Sequence, residues 1–434
     1  MPRLTHTNAW ESRYFPYEDG QIRHEVMRMS GQGCRYGQLI CLLTIGLFAS
    51  GCTAERLPKE ETSAQQQFAA RMEGIASDNR QSQLSPLMAS AQRLAPFANT
   101  DAKPDIKVKG VYATAWAAVG GRFERLVELI EQTDLNAMVI DVKTDSGQVT
   151  FPADTAMVKE IGSASHSMIA DLAGKVEELH RRNIYTIARL VVFKDPYLAE
   201  RKPEWAMRTK TGKLWRDPKG TAWVDPFREE VWRYNQEIAA AAASAGFDEI
   251  QFDYIRFPEN GKRVDEEVAF PASNGRSKAD AVQQFLHESR TKLAPYRVKV
   301  SADVFGMTAS SDNDMGIGQL WAKMAPELDI ICPMVYPSHY ADGAFGIAHP
   351  DLQPYRVIQR ALGDALAKNE ALRKQSPAAE PAAIRPWLQS FTAVWLKPHL
   401  TYGNVEIQEQ IKAAREIGIE EFLIWNSGSN YSYR

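Results

Sequence analysis

From residue 107 to the carboxyl end, short apolar runs alternate with segments whose apolar residues recur every three or four positions. The runs are Lys107–Trp116, Ala137–Lys143, Tyr185–Phe193, Glu249–Pro258, Lys299–Met307, Asp329–Tyr336, Arg385–Phe391 and Glu421–Ser427. Each is rich in Val, Ile and aromatic residues and too short for a helix, the pattern of strands buried on both faces. The segments between them, such as Arg122–Thr133 and Ser167–Arg182, have helical period. Such alternation predicts right-handed crossovers and a parallel sheet. Eight units in about 320 residues fit one closed (β/α)8 TIM barrel better than two doubly wound domains, since such barrels run from roughly 200 to over 400 residues.

A barrel of this kind carries its chemistry at the carboxyl ends of the strands and in the loops that follow. The polar residues there are Asp141 and Lys143 on strand two, expected to share a face by the two-residue period of a strand. Strand three supplies Arg189, with Lys194 and Asp195 just beyond. Strand four supplies Gln251 and Asp253 on one face, then Tyr254 and Arg256. Asp303, Tyr336, Gln389, and the pair Trp425 and Asn426 follow on strands five to eight. No cofactor is expected: no strand leads into a Gly-rich phosphate loop, and the 8 histidines show no metal-ligand spacing.

Asp253 stands out because a carboxylate between Phe252 and Tyr254 in an apolar strand is costly to bury without a partner. Arg189 on the neighbouring strand is the expected partner, keeping Asp253 ionised as a nucleophile or base requires. A purely structural Asp–Arg pair is the alternative. Asp303 lies one strand further on, and adjacent strands are about 4.8 Å apart. Two such carboxylates suit either the roughly 5–5.5 Å separation of a retaining glycosidase or the wider inverting distance. Asp303 is the candidate acid/base, with a loop cap or substrate hydrogen-bonder as the alternative. A salt bridge closing the barrel mouth would explain Asp141 and Lys143 as well as substrate binding does. The loop Lys194–Pro226 is long and carries Tyr197, Trp205, Trp215 and Trp223, residues suited to sugar faces or to covering the barrel.

The first hundred residues read differently. Arg23, Arg28 and Arg35 precede the apolar run Leu39–Ser50, which is the length of a signal h-region and too short to span a bilayer. The run ends in Ala49-Ser50-Gly51-Cys52, which resembles a bacterial lipobox and implies cleavage before Cys52 and lipidation of its thiol. An ordinary signal peptide is the alternative. Residues 1–26 are unlike a signal n-region, so translation is expected to begin at Met27 or Met29. Residues 53–105, rich in Gln, Ala, Ser and Pro, read as a flexible tether. The expected organisation is a signal region over 1–52, a linker over 53–105 and the barrel over 106–434. It implies a lipid-anchored protein of the cell envelope, at the outer membrane or periplasmic face. A formal net charge of -3 argues against a nucleic-acid partner. Of the 4 cysteines, Cys34 and Cys41 would leave with the signal and Cys332 sits within strand six, so no disulfide framework remains.

Several blocks carry a family resemblance. They are Gly110-Val111-Tyr112, Val139-Ile140-Asp141-Val142-Lys143, Phe193-Lys194-Asp195-Pro196, Phe252-Asp253-Tyr254-Ile255-Arg256-Phe257-Pro258 and Pro333-Met334-Val335-Tyr336-Pro337. Over residues 107–428 the chain resembles a bacterial glycoside hydrolase family long catalogued as a domain of unknown function and distantly related to the alpha-amylase barrel. The resemblance implies carbohydrate chemistry, with Asp253 at the nucleophile position and Asp303 where the acid/base is usually Glu. It departs from alpha-amylases at the end of strand seven, where Gln389 and Ser390 stand in place of an acid. The resulting expectation is hydrolysis of an envelope or extracellular polysaccharide by Asp253 and Asp303. Asp141, Lys143, Arg189, Tyr336, Gln389, Trp425 and Asn426 would be substrate contacts. The rivals are a non-catalytic carbohydrate-binding barrel, and a deacetylase or lyase acting on the same polymers.

Overall fold

The computed structural model describes residues 106–375 and 380–434. The expected lipobox with Cys52 and the linker therefore lie outside the described residues. The barrel strands are β1 (Lys109–Ala113), β2 (Ala137–Lys143), β3 (Tyr185–Val191), β4 (Glu249–Asp253), β5 (Lys299–Phe305), β6 (Ile330–Met334), β7 (Trp387–Gln389) and β8 (Phe422–Trp425). All pair in parallel in the order β1-β2-β3-β4-β5-β6, and β8 joins β1 to β7. Trp387 in β7 then pairs with Met334 in β6 and closes the ring. The predicted (β/α)8 barrel is thus the observed architecture.

The seventh position is interrupted. A two-residue segment, Ala383–Ile384, pairs with the start of β6, and β7 itself begins only at Trp387. Pro386 lies between the two pieces and has no N–H to give the ladder. Inside the barrel the strands crowd one another: a Cβ on Gly110 would fall 2.8 Å from Leu423 Cδ2 and 3.2 Å from Ala137, so a side chain there would have to displace its neighbours.

The main outer helices are α1 (Gly121–Glu131), α2 (Leu172–Arg181), α3 (Glu229–Ser244), α4 (Lys278–Leu293), α5 (Pro354–Gln375) and α6 (Asn404–Glu416). Between β5 and β6 a short helix, Trp321–Met324, takes that place. Each long helix buries one stripe, as α1 does with Phe123, Leu126, Val127 and Ile130. Starts follow local capping: Asp171 accepts a hydrogen bond from the Gly174 N–H, and Ser277 forms a capping box with Asp280. This is why α2 begins at Leu172 rather than at Ser167.

The long segment after β3 is not bare loop. It holds a helix, Pro196–Arg201, and an antiparallel excursion bridged at Ala206–Val224, Arg208–Leu214 and Arg216–Ala222. Trp215 and Trp223 are buried in it, their indoles donating to Glu267 and Asp217. These two aromatics cover the barrel; neither is an open platform for a ligand.

Candidate active site

Side chains alternate along each strand, so Tyr112, Asp141, Arg189, Asp253, Asp303, Trp387 and Trp425 all point into the barrel near its carboxyl end. Their contacts form one connected set. The Arg189 guanidinium donates from Nη1 to Asp141 Oδ1 at 2.6 Å, and from Nε and Nη2 to Asp253 Oδ2 at 2.9 and 2.5 Å. The Tyr112 hydroxyl donates to the other Asp141 oxygen at 2.5 Å. All four side chains are buried. An arginine can serve two carboxylates at once because its five N–H groups lie in one rigid plane.

Asp253 gains a further donor from its own backbone. The strand ends there because Tyr254 adopts the left-handed conformation, φ 51°, which turns the Tyr254 N–H back onto Asp253 Oδ1 at 2.6 Å. A non-glycine residue held in that region stores strain of about 1 kcal/mol or more. The predicted continuation of β4 to Pro258 fails at this residue, and the failure is what orients Asp253.

Asp303, near the end of β5, has no cation bonded to its carboxyl among the described residues. Its Oδ1 accepts a hydrogen bond from the Trp387 indole at 2.7 Å. Gln319 holds its backbone, donating to the Asp303 carbonyl at 3.3 Å and accepting from the Phe305 N–H at 2.9 Å. Burial pushes the Asp303 carboxyl well above the usual carboxylate range, and the negative charge of Asp253 pushes it further, against Arg189 and the indole. Burial likewise raises Asp141, with Arg189 and Tyr112 opposing. It also raises Tyr112, helped by the charge of Asp141, so the phenol stays a donor.

Aromatic rings line the other side. Trp425 is half-buried and stacks on Tyr112 with centroids 4.1 Å apart, and it meets Trp387 edge to face at 5.5 Å. Tyr336 packs edge to face against His339 at 5.3 Å and Phe391 at 5.6 Å, on the β6–β7 side of the mouth. Burial lowers His339 to about 4, so this aromatic cluster is neutral at ordinary pH.

Three of the expected substrate contacts sit in structural settings. Lys143 does not share a face with Asp141, because the β2–β3 register shifts between them: Asp141 pairs with Arg189, but Lys143 pairs with Leu190. This bulge sends Lys143 outward under α3. There, fully buried, it meets Asp195 at 2.7 Å, the Val191 carbonyl at 2.7 Å and Asn235 Oδ1 at 3.0 Å. Gln389 is also fully buried. Its amide accepts from the Ser338 N–H and donates to Asp351 and to the Phe391 carbonyl, which fixes the loops after β6 and β7. Asn426 folds the turn after β8, donating to the Ser390 carbonyl at 2.6 Å and accepting from the Gly428 N–H at 2.9 Å. Two residues of the connected set were not among the candidates. Trp387 reads in sequence as an apolar strand residue, and only its donor N–H could have flagged it. Tyr112 appears within a motif, where its ring masks the role of its hydroxyl.

Among the described residues, no group of three or more His, Cys, Asp or Glu side chains is arranged to hold a metal ion.

A closed parallel barrel whose strand ends gather carboxylates around an arginine, beside stacked aromatic rings, defines a glycosidase-type (β/α)8 enzyme. The chain belongs to the family described as "Putative glycosyl hydrolase domain", whose profile matches residues 110–431. Among solved structures it is similar to a hypothetical protein from Ruminiclostridium thermocellum, 37% identical, covering 45% of this chain and 97% of that one with a TM-score of 0.40. It is also similar to the PgaB (BpsB) glycoside hydrolase domain from Bordetella bronchiseptica, 15% identical, covering 75% of this chain and 95% of that one with a TM-score of 0.54. The second likeness is one of fold. No curated protein matches the chain.

Proposed function

We propose that the protein hydrolyses glycosidic bonds in an envelope or extracellular polysaccharide, with Asp303 as acid/base and Asp253 as nucleophile or base. One observation carries this reading. Two carboxyls stand at the ends of adjacent strands in opposite settings, Asp253 ion-paired with Arg189 and Asp303 pushed upward by burial and by Asp253. A carboxyl pushed toward its protonated form beside one ion-paired with an arginine fits the division of labour glycoside hydrolysis needs. Asp303 gives its proton to the glycosidic oxygen, and the electron pair of the breaking C–O bond leaves with that oxygen. As that bond breaks, the anomeric carbon bonds either to an oxygen of Asp253, to be released later by water, or to a water whose proton Asp253 takes.

Asp141 and Arg189 hold Asp253 and offer hydrogen bonds to sugar hydroxyls. Trp425, stacked on Tyr112, offers a ring face to the apolar side of a sugar, and Tyr336 extends the aromatic wall. The proposal includes location. The Ala49-Ser50-Gly51-Cys52 motif supports acylation of Cys52, and the composition of residues 53–105 supports a tether holding the barrel near a membrane.

The test is reducing-end release by the full chain from cell-wall glycan, exopolysaccharide and amylose preparations, with Asp253→Asn and Asp303→Asn as controls. Release lost in both variants supports hydrolysis. Binding that persists in Asp253→Asn, with no release by the wild-type chain, would establish the carbohydrate-binding barrel instead. Incorporation of labelled palmitate that disappears in Cys52→Ser tests the anchor.

A further inference from the structure

We propose that Trp387 is the positioning residue of the acid/base: its indole N–H holds Oδ1 of Asp303 and makes Oδ2 the oxygen that gives up the proton. The inference rests on the glycosidase reading above and adds a residue to it. Trp387 is 1% exposed, so it acts through Asp303 rather than by touching a sugar.

The chemistry of the indole carries the argument. Its Nε1–H is a donor and never an acceptor, so the 2.7 Å contact has one direction. An oxygen that already accepts this hydrogen bond is the poorer place for the carboxyl proton. The proton therefore resides on Oδ2, from which it passes to the glycosidic oxygen. Once it has left, the negative charge remaining on Asp303 is met by the same N–H, which binds the anion more strongly than the neutral acid. Trp387 thus stabilises the form of Asp303 that the reaction creates and that must take a proton back.

The geometry explains why a tryptophan holds this position so firmly. Trp387 stands edge-on to Trp425, and Trp425 stacks on Tyr112. The Tyr112 hydroxyl reaches Asp141, and Arg189 joins Asp141 to Asp253. One chain of contacts therefore runs around the barrel mouth from the acid to its partner carboxylate. The groups facing Asp303 electrically are Asp253 and Glu249 from β4 and Arg189 from β3, with the buried Cys332 thiol on β6. Among the described residues around Asp303, Trp387 is the one that donates a hydrogen bond to the carboxyl itself.

The experiment is a carboxyl-carbon NMR titration of Asp303 in the full chain and in Trp387→Phe, with the resonance assigned by its loss in Asp303→Asn. Trp387→Phe keeps a ring against Trp425 and removes only the donor. Loss of the donor destabilises the anion, so the Asp303 midpoint is expected to move to higher pH in the variant. On a substrate that the wild-type chain cleaves, kcat is expected to fall about tenfold with KM unchanged, and the upper limb of the pH profile to move with the midpoint. An Asp303 midpoint that is the same in both chains overturns the proposal, as does a carboxyl that ionises in neither. Should Trp387→Phe fail to fold, the wild-type Trp387 indole resonance must follow the Asp303 titration; an indole insensitive to it overturns the proposal equally. The titration needs no turnover. A shifted midpoint with no hydrolysis of any glycan would support the pairing while rejecting the glycosidase reading.

Discussion

The two ends of this barrel are built on the same device with different outcomes. At the amino-terminal floor Arg385 bridges Glu249, at 2.8 Å, and Glu421, at 2.7 Å. Ser301 and Tyr185 donate two more hydrogen bonds to Glu249. At the carboxyl-terminal mouth Arg189 bridges Asp141 and Asp253 in the same way. At the floor the buried Arg385 and Glu249 pair with each other, and Glu421 takes the second side of the guanidinium. The mouth carries one carboxyl more. Asp303 sits beside the bridged pair with an indole N–H on its side chain, and burial together with Asp253 holds it well above the ordinary range. The mouth also keeps a left-handed residue, Tyr254, and a half-buried tryptophan, Trp425. A bridged arginine is therefore no mark of function by itself; the surplus acid and the strained strand end are what separate chemistry from stability.

That contrast can be broken most forcefully by removing the surplus acid. Asp303→Asn replaces a carboxyl that burial holds toward its neutral form by an amide of nearly the same shape. It is expected to lower turnover roughly a thousandfold without lowering the unfolding midpoint. Asp253→Asn is expected to lose comparable activity but also stability, because Arg189 loses part of its pairing.

At the floor the expectation reverses. Glu249→Gln leaves Arg385 partly unmatched in a dry interior and is expected to cost about 3 kcal/mol in urea unfolding, with kcat of the folded fraction unchanged. Lys143→Met tests the corrected assignment in the same way: stranding Asp195 is expected to cost about 3 kcal/mol and to leave KM alone. A rise in KM without loss of stability would return Lys143 to the substrate.

Trp425→Ala sharpens the comparison at the mouth, since a ring that receives a sugar should act on binding. About a fivefold rise in KM is expected, from a stacking contribution on the order of 1 kcal/mol.

The smallest effect is the pH dependence of stability. Asp303 has a folded pKa above its ordinary 3.8, so its contribution is whole below that value and is lost as the pH rises through the raised pKa. Urea unfolding at stepped pH should therefore show a decline across that window that Asp303→Asn flattens; Glu249→Gln, which removes a charge that helps raise Asp303, should keep the decline but narrow it.

Much of this was legible in sequence, for reasons that particular residues make plain. The eight apolar runs mark the strands because parallel strands buried on both faces need Val and Ile throughout. Arg189 and Asp253 could be paired in advance because they lie on neighbouring strands, and the long guanidinium reaches the carboxylate two residues beyond its register partner Gln251. Lys143 could not be placed, because one shifted register at Val142 turns its side chain to the other face, and the two-residue period carries no sign of a bulge. Gln389 and Asn426 sit at strand ends as expected, yet their amides are used by backbone groups of loops whose paths no local pattern specifies. Trp387 escaped for the opposite reason, since an indole in an apolar strand looks like packing until its N–H is seen on Asp303.

The most direct test is to measure glycan turnover and unfolding midpoint together in Asp303→Asn and Glu249→Gln. The expected result is a clean exchange, with turnover lost and stability kept in the first variant, and stability lost and turnover of the folded chain kept in the second. Wild-type turnover in Asp303→Asn would contradict the assignment of chemistry to the mouth.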